Sequence, residues 1–196
     1  MRRHLYSLLV AGILGTVALI VAQEVMVNPA ITEKTTGLGI EPNIGLNKNS
    51  RQAVSNMLNS LLADEYLLYT KTQNYHWNVT GLMFNDLHTF FGKQYQQLAE
   101  IVDSVAERVR ALGERSHGTM QEFLDNARLK EMPGVVPAAQ EMIKNLLEDH
   151  EAIIRTLRID IEATTNEFED VGTNNFLSDL ITRHEKMAWM LRAYIS

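Results

Sequence analysis

From Leu87 to Leu112 the apolar residues keep one period without a break. Leu87, Phe91, Tyr95, Leu98, Val102, Val105, Val109 and Leu112 follow one another at steps of four and three, and Gly113 ends the run. At 100° per residue these side chains form a single stripe along one long helix. A helix apolar along one stripe has to bury that stripe against other helices. The chain is therefore expected to build a helical bundle.

Other segments repeat the pattern. From Ser50 to Thr80, Val54, Leu58, Leu61, Leu62, Leu68 and Tyr69 recur at helical steps, and Gly81 stops them. Asn85 is the expected cap of the next helix. After Gly113 the stripe lapses, but Thr119-Met120-Gln121-Glu122 fits a capping box, which predicts a short helix over 120–127. Pro137 is expected to open a third long helix reaching Asn166, with Met142, Leu146, Ile153, Leu157 and Ile161 inward. Gly172 and Thr173 open a fourth, running to about Tyr194. Nothing reads as a strand. The expected fold is all-α: a four-helix bundle whose one long crossover carries a short extra helix.

The 196 residues suffice for one such domain, assigned to 49–196. Ahead of it, residues 24–48 lack periodicity and read as a linker or arm. Residues 1–23 differ again: Arg2 and Arg3 precede an apolar run from Leu5 to Ala22. That is the layout of a signal peptide, or of a membrane anchor if residues 5–22 are retained, and both place the domain outside the cytoplasm. The absence of cysteine excludes disulfides, zinc–thiolate sites and thiol catalysis. A net charge of −6 argues against a nucleic-acid partner, and the arm sets Lys34 and Lys48 against Glu24, Glu33 and Glu41.

His76, His88, Asp103 and Glu107 are the candidate metal ligands. Imidazole and carboxylate without thiolate suit iron, manganese or zinc. Asp103 and Glu107 lie one turn apart on one helix face. His76 and His88 each lie about one turn from the Gly81 reversal, so antiparallel neighbours bring them together. His88 and Asp103, however, are separated by roughly 22 Å along one helix. All four cannot bind one ion within one chain, so the site needs the carboxylates of a second copy. Two such helices packed antiparallel across a twofold axis make two identical sites.

Asn74-Tyr75-His76-Trp77-Asn78-Val79, Leu87-His88, Asp103, Ala106-Glu107-Arg108 and Leu112-Gly113 closely resemble the Dps family of ferritin-like mini-ferritins. The resemblance runs from Ile40 to Ile195, including Leu62-Ala63-Asp64-Glu65-Tyr66 and His184-Glu185-Lys186-Met187-Ala188-Trp189. It implies a ferritin-like bundle assembled from twofold dimers into a homo-dodecameric shell. It also implies intersubunit di-iron ferroxidase sites, with His76 and His88 from one subunit and Asp103 and Glu107 from its mate. Fe(II) would be oxidised there, preferably by hydrogen peroxide, and stored inside as ferric oxide; zinc or another divalent ion could substitute. Structural or DNA-compacting shells and divalent-metal sequestration without redox turnover are the alternative readings.

Three residues, at two places, depart from the family pattern. Glutamates usual after the second histidine are replaced by Gly92 and Lys93, and an aspartate usual at the iron pore by Asn175, leaving Asp170 or Asp179 as weaker cation attractors. Trp77 is read either as a sacrificial electron donor or as core packing. His117 reads as a surface histidine in a loop, and His150 and His184 as solvated or ion-paired residues in charged stretches.

Overall fold

The computed structural model describes residues 39–196; the leader read at 1–23 and most of the arm lie outside the described residues. Five helices and no strand occur among the described residues: α1 (Lys48–Asn78), α2 (Phe84–Ala111), α3 (Met120–Asn126), α4 (Ala139–Asn166) and α5 (Val171–Arg192). α1 packs on α2 and α4 on α5, each pair joined by a short turn, while α1 also contacts α4 and α2 contacts α5. This is the expected four-helix bundle. Residues 112–138 form the crossover, and α3 within it leans on α1. No described helix is long and apolar enough to cross a membrane.

The stripes meet where their periods place them. Leu58, Leu61, Leu62 and Leu68 of α1 join Leu87, Phe91, Leu98, Val105 and Val109 of α2 in one core with Leu146, Ile153 and Leu157 of α4 and Leu177 and Leu191 of α5. Tyr95 and Val102 are only partly buried.

Three of the five described helix starts, those of α1, α3 and α5, carry a side-chain cap. Asn47 caps α1, its Oδ1 accepting from Ser50 N at 2.9 Å, so the helix starts two residues before Ser50. Thr119 and Glu122 form the expected capping box. Asn85 does not cap α2; the chain is already winding after Gly81, and the cap is Met83, which lacks a side-chain acceptor. α4 begins at Ala139, two residues beyond Pro137. α5 is capped by Asp170, whose Oδ1 accepts from Thr173 N at 2.9 Å.

Two tethers secure the loops. Gly113 has φ +89°, and a Cβ there would lie 2.6 Å from Pro42 Cγ and Cδ, so only glycine lets residue 42 approach the end of α2. Arg51, nearly buried, donates to the carbonyls of Pro42 and Leu46, each at 3.1 Å, and pairs with Glu41. Further along α1, Asp64 holds the crossover. Its Oδ1 accepts from Arg128 N at 2.6 Å and Leu129 N at 3.1 Å, and its Oδ2 from Arg128 Nε at 2.7 Å.

Candidate metal centre

His76 lies in the last turn of α1 and His88 in the second turn of α2. Their rings stack with centroids 3.8 Å apart. Each ring also bonds the other residue's backbone: His76 Nδ1 is 2.6 Å from His88 O, and His88 Nδ1 is 2.8 Å from His76 O. A carbonyl oxygen only accepts, so both Nδ1 atoms carry hydrogen. That leaves Nε2 of each ring as the nitrogen that can offer a lone pair to a metal. The arrangement also serves the helix, because the His76 carbonyl is among the α1 C-terminal carbonyls that lack an intrahelical donor.

Gly92 has its explanation here. A Cβ at Gly92 would stand 3.2 Å from His76 Cε1 and 3.3 Å from its Nδ1. The ring has little freedom to retreat, being stacked on one side and hydrogen-bonded at its edge. Glycine in a helix gives up about 1 kcal/mol relative to alanine, and that loss makes room for the imidazole. If the pair is read as metal ligands, Gly92→Ala is expected to leave helix content unchanged while weakening Zn(II) binding about tenfold, the usual scale for disturbing a ligand's support. Isothermal titration calorimetry measures it; an unchanged affinity would show that the ring accommodates the methyl group.

Asp103 and Glu107 are exposed on one face of α2. Asp103 borders a groove of about 440 Å³ lined by Tyr66, Tyr69, Val102, His117 and Phe123. Among the described residues of one chain, no group of three or more His, Asp or Glu is placed to hold a metal. The chain thus pairs the two histidines and sets its two carboxylates elsewhere on α2.

Several expectations are corrected. His150 and His184 are not solvated: both are 0% exposed, on the core sides of α4 and α5. Their Nδ1 atoms are 2.9 Å apart, one ring donating to the other, and His184 Nε2 stands 2.9 Å from Oε1 of the equally buried Glu65. The signal was in the sequence: position 150 continues Leu146–Ile153–Leu157, and 184 continues Leu177–Leu180–Met187–Leu191. Their charged neighbours in the chain point elsewhere. Asp170 is no free cation attractor, since it is buried, caps α5 and pairs with Arg108 at 3.1 Å. Asp179 and Asn175 are exposed. Trp77 is 64% exposed, so it is not core packing within the subunit. His117 is half-buried rather than fully on the surface, its backbone N–H donating to Asn59 Oδ1 at 2.8 Å.

Comparison with known proteins supplies the lineage. Residues 55–196 match the family described as "Ferritin-like domain". The chain is 49% identical over 153 residues to an uncharacterized low temperature-induced protein of Nostoc sp., covering 78% of this chain and 86% of that protein. It is 34% identical over 143 residues to DNA protection during starvation protein 2 of Bacillus anthracis, covering 73% and 97%. Among solved structures, the Dps protein of Vibrio cholerae O1 superposes with a TM-score of 0.75 at 31% identity, covering 81% of this chain and 99% of that one. With the bundle, its crossover and the histidine pair at the α1–α2 reversal, these matches establish that the chain belongs to the Dps family of ferritin-like proteins.

Proposed function

We propose that this chain is an iron-storing ferroxidase whose sites are shared between subunits of a dodecameric shell. The crossed hydrogen bonds of His76 and His88 carry the reading, because they hold two imidazoles side by side in the metal-ligating tautomer. The Vibrio cholerae relative is described as a member of a superfamily of diiron-carboxylate proteins. Transferred here, Asp103 and Glu107 of a second subunit complete the donor set. Iron is the substrate: hydrogen peroxide takes two electrons from two Fe(II) ions and, with two protons, leaves as two waters. The carboxylate oxygens favour the Fe(III) product, and the neutral imidazoles hold Fe(II) loosely enough to load. Lys93 and Gly92 offer no acid for nucleating mineral behind the second histidine. The relatives' low-temperature and starvation names fit a protective role against oxidative damage.

Stopped-flow absorbance tests the activity. Asp103→Ala combined with Glu107→Ala is expected to abolish fast peroxide-dependent Fe(II) oxidation with helix content and assembly intact, since both carboxylates are exposed and outside the core. An unchanged rate removes them from the site.

Duplex DNA is not a partner in this reading, nor is the cytoplasm its compartment. Loss of the leader with Arg2 and Arg3 takes the net charge to −8, leaving little to displace counterions from phosphate. Leader-free, iron-free protein is expected to give no gel shift at about 0.15 M salt; a clear shift at micromolar protein favours the DNA-compacting alternative. The mass and N-terminus of protein from separated cell fractions distinguish a cleaved signal from a retained anchor.

A further inference from the structure

Away from the proposed metal centre, three ionisable side chains meet inside the bundle. Glu65 comes from α1, His150 from α4 and His184 from α5, and each is 0% exposed. The contacts are continuous: Glu65 Oε1 to His184 Nε2 at 2.9 Å, then His184 Nδ1 to His150 Nδ1 at 2.9 Å. His150 Nε2 is buried with no hydrogen-bond partner, and the Glu65–His184 contact lies off the line of a hydrogen bond. Iron chemistry at the α1–α2 reversal uses none of these groups.

We propose that Glu65, His184 and His150 form an acid-sensitive latch, joining α1, α4 and α5 while His150 is neutral and forcing them apart when it takes up a proton. One negative group is available to the cluster, so one proton can be matched by charge. A second puts two cationic rings in contact through nitrogens 2.9 Å apart, in an interior where an unmatched charge is costly.

The charged groups nearby are committed elsewhere. On α1, Asp64 binds the crossover at Arg128, and Lys71 pairs with Asp149 of α4. Glu151 of α4 pairs with Arg192 of α5, and Glu185 of α5 with Arg158 of α4. The one buried polar side chain of α2 is the neutral Gln94, whose Nε2 donates to Met187 O at 3.3 Å. None of these supplies a counter-charge to His150, whose affinity for a proton is pushed well below the ordinary histidine range, first by burial and then by the charge on His184.

The sign follows from linkage. An unfolded histidine takes its proton near pH 6.5, and the folded one does not. Folding stability attributable to His150 is therefore complete above that pH and declines as pH falls. Well below pH 6.5 each further unit multiplies the unfolding constant about tenfold, and from pH 8 to 5 the rise is about 30-fold. Asp160, pushed up to about 6 by burial, and Asp149, raised mainly by burial, act in the opposite direction, so a variant must be compared with wild type.

The test is urea unfolding of the assembled protein, followed by circular dichroism at fixed concentration between pH 8 and 5. His150→Asn removes the titrating ring and keeps an amide where Nδ1 meets His184. The wild-type unfolding constant should rise about 30-fold more than the variant's between pH 8 and 5; parallel profiles would overturn the latch. If the variant does not fold, hydrogen–deuterium exchange at the histidine C2 positions of wild type decides. His150 should exchange far more slowly than in the urea-unfolded chain, with a midpoint displaced to lower pH. An unfolded-like rate and midpoint would overturn it.

Discussion

Two inactive variants, assembled together, should regain iron oxidation. His76→Ala/His88→Ala subunits keep the carboxylates, and Asp103→Ala/Glu107→Ala subunits keep the imidazoles. In a mixed dimer one site has all four ligands and its twin has none. Random pairing of equal amounts makes half of the dimers mixed, so about a quarter of the wild-type sites are complete. Fe(II) oxidation in stopped flow should reach about that fraction after co-refolding, while either variant refolded alone stays inactive. Native mass spectrometry must confirm hybrid assemblies; hybrids that remain inactive defeat the shared site. The expectation rests on His88 and Asp103 belonging to one uninterrupted helix, α2, fifteen residues and so roughly 22 Å apart along its axis.

The largest expected loss of stability outside the apolar core follows from Asp64→Ala. This carboxylate is nearly buried and accepts from two backbone N–H groups and one guanidinium. Truncation strands the buried Leu129 N–H and removes the charge partner of Arg128. Because the Arg128 side chain is 42% exposed, water replaces that part of the interaction, and the loss falls mainly on the backbone donors. About 3 kcal/mol is expected, lowering Tm by roughly 10 °C for a chain of this size. Calorimetry measures the shift, and limited proteolysis should show new cleavage in residues 127–138. Asp64→Asn keeps one acceptor and should lose less; equal losses would mean that the charge, rather than the backbone contacts, holds the crossover.

The fold was legible because burial is periodic. Stripes such as Leu87–Leu112 state which face turns inward, and a missing stripe between Gly113 and Pro137 marks the crossover. Helix starts were less legible at α2, where winding begins in the turn rather than at a capping side chain. The histidine pairing was legible from its spacing about Gly81, but the crossed hydrogen bonds were not, since they depend on ring rotamers and carbonyl directions. Gly92 was opaque for a related reason: its constraint comes from His76 on another helix. The burial of His150 and His184 was hidden by chain context, although an ion-paired role, which His184 takes with Glu65, was among the readings. Glu148, Asp149 and Glu151 flank His150 in sequence, yet one residue is a 100° turn around a helix, and register outweighs neighbourhood.

The crossed histidines also bear on the order in which the molecule comes into being. Only twelve residues separate His76 from His88, and every atom that fixes their rings belongs to the α1–α2 hairpin or its own backbone. Such short-range contacts form early, ahead of those that await closure of a long loop. The bundle must still bring α4 against α1 across residues 112–138. The histidine pair of the proposed centre is therefore expected to form with the α1–α2 hairpin, ahead of the contacts that close the bundle. In the proposed shared site, a mate's carboxylates then have little ordering of the histidines left to bring about on docking.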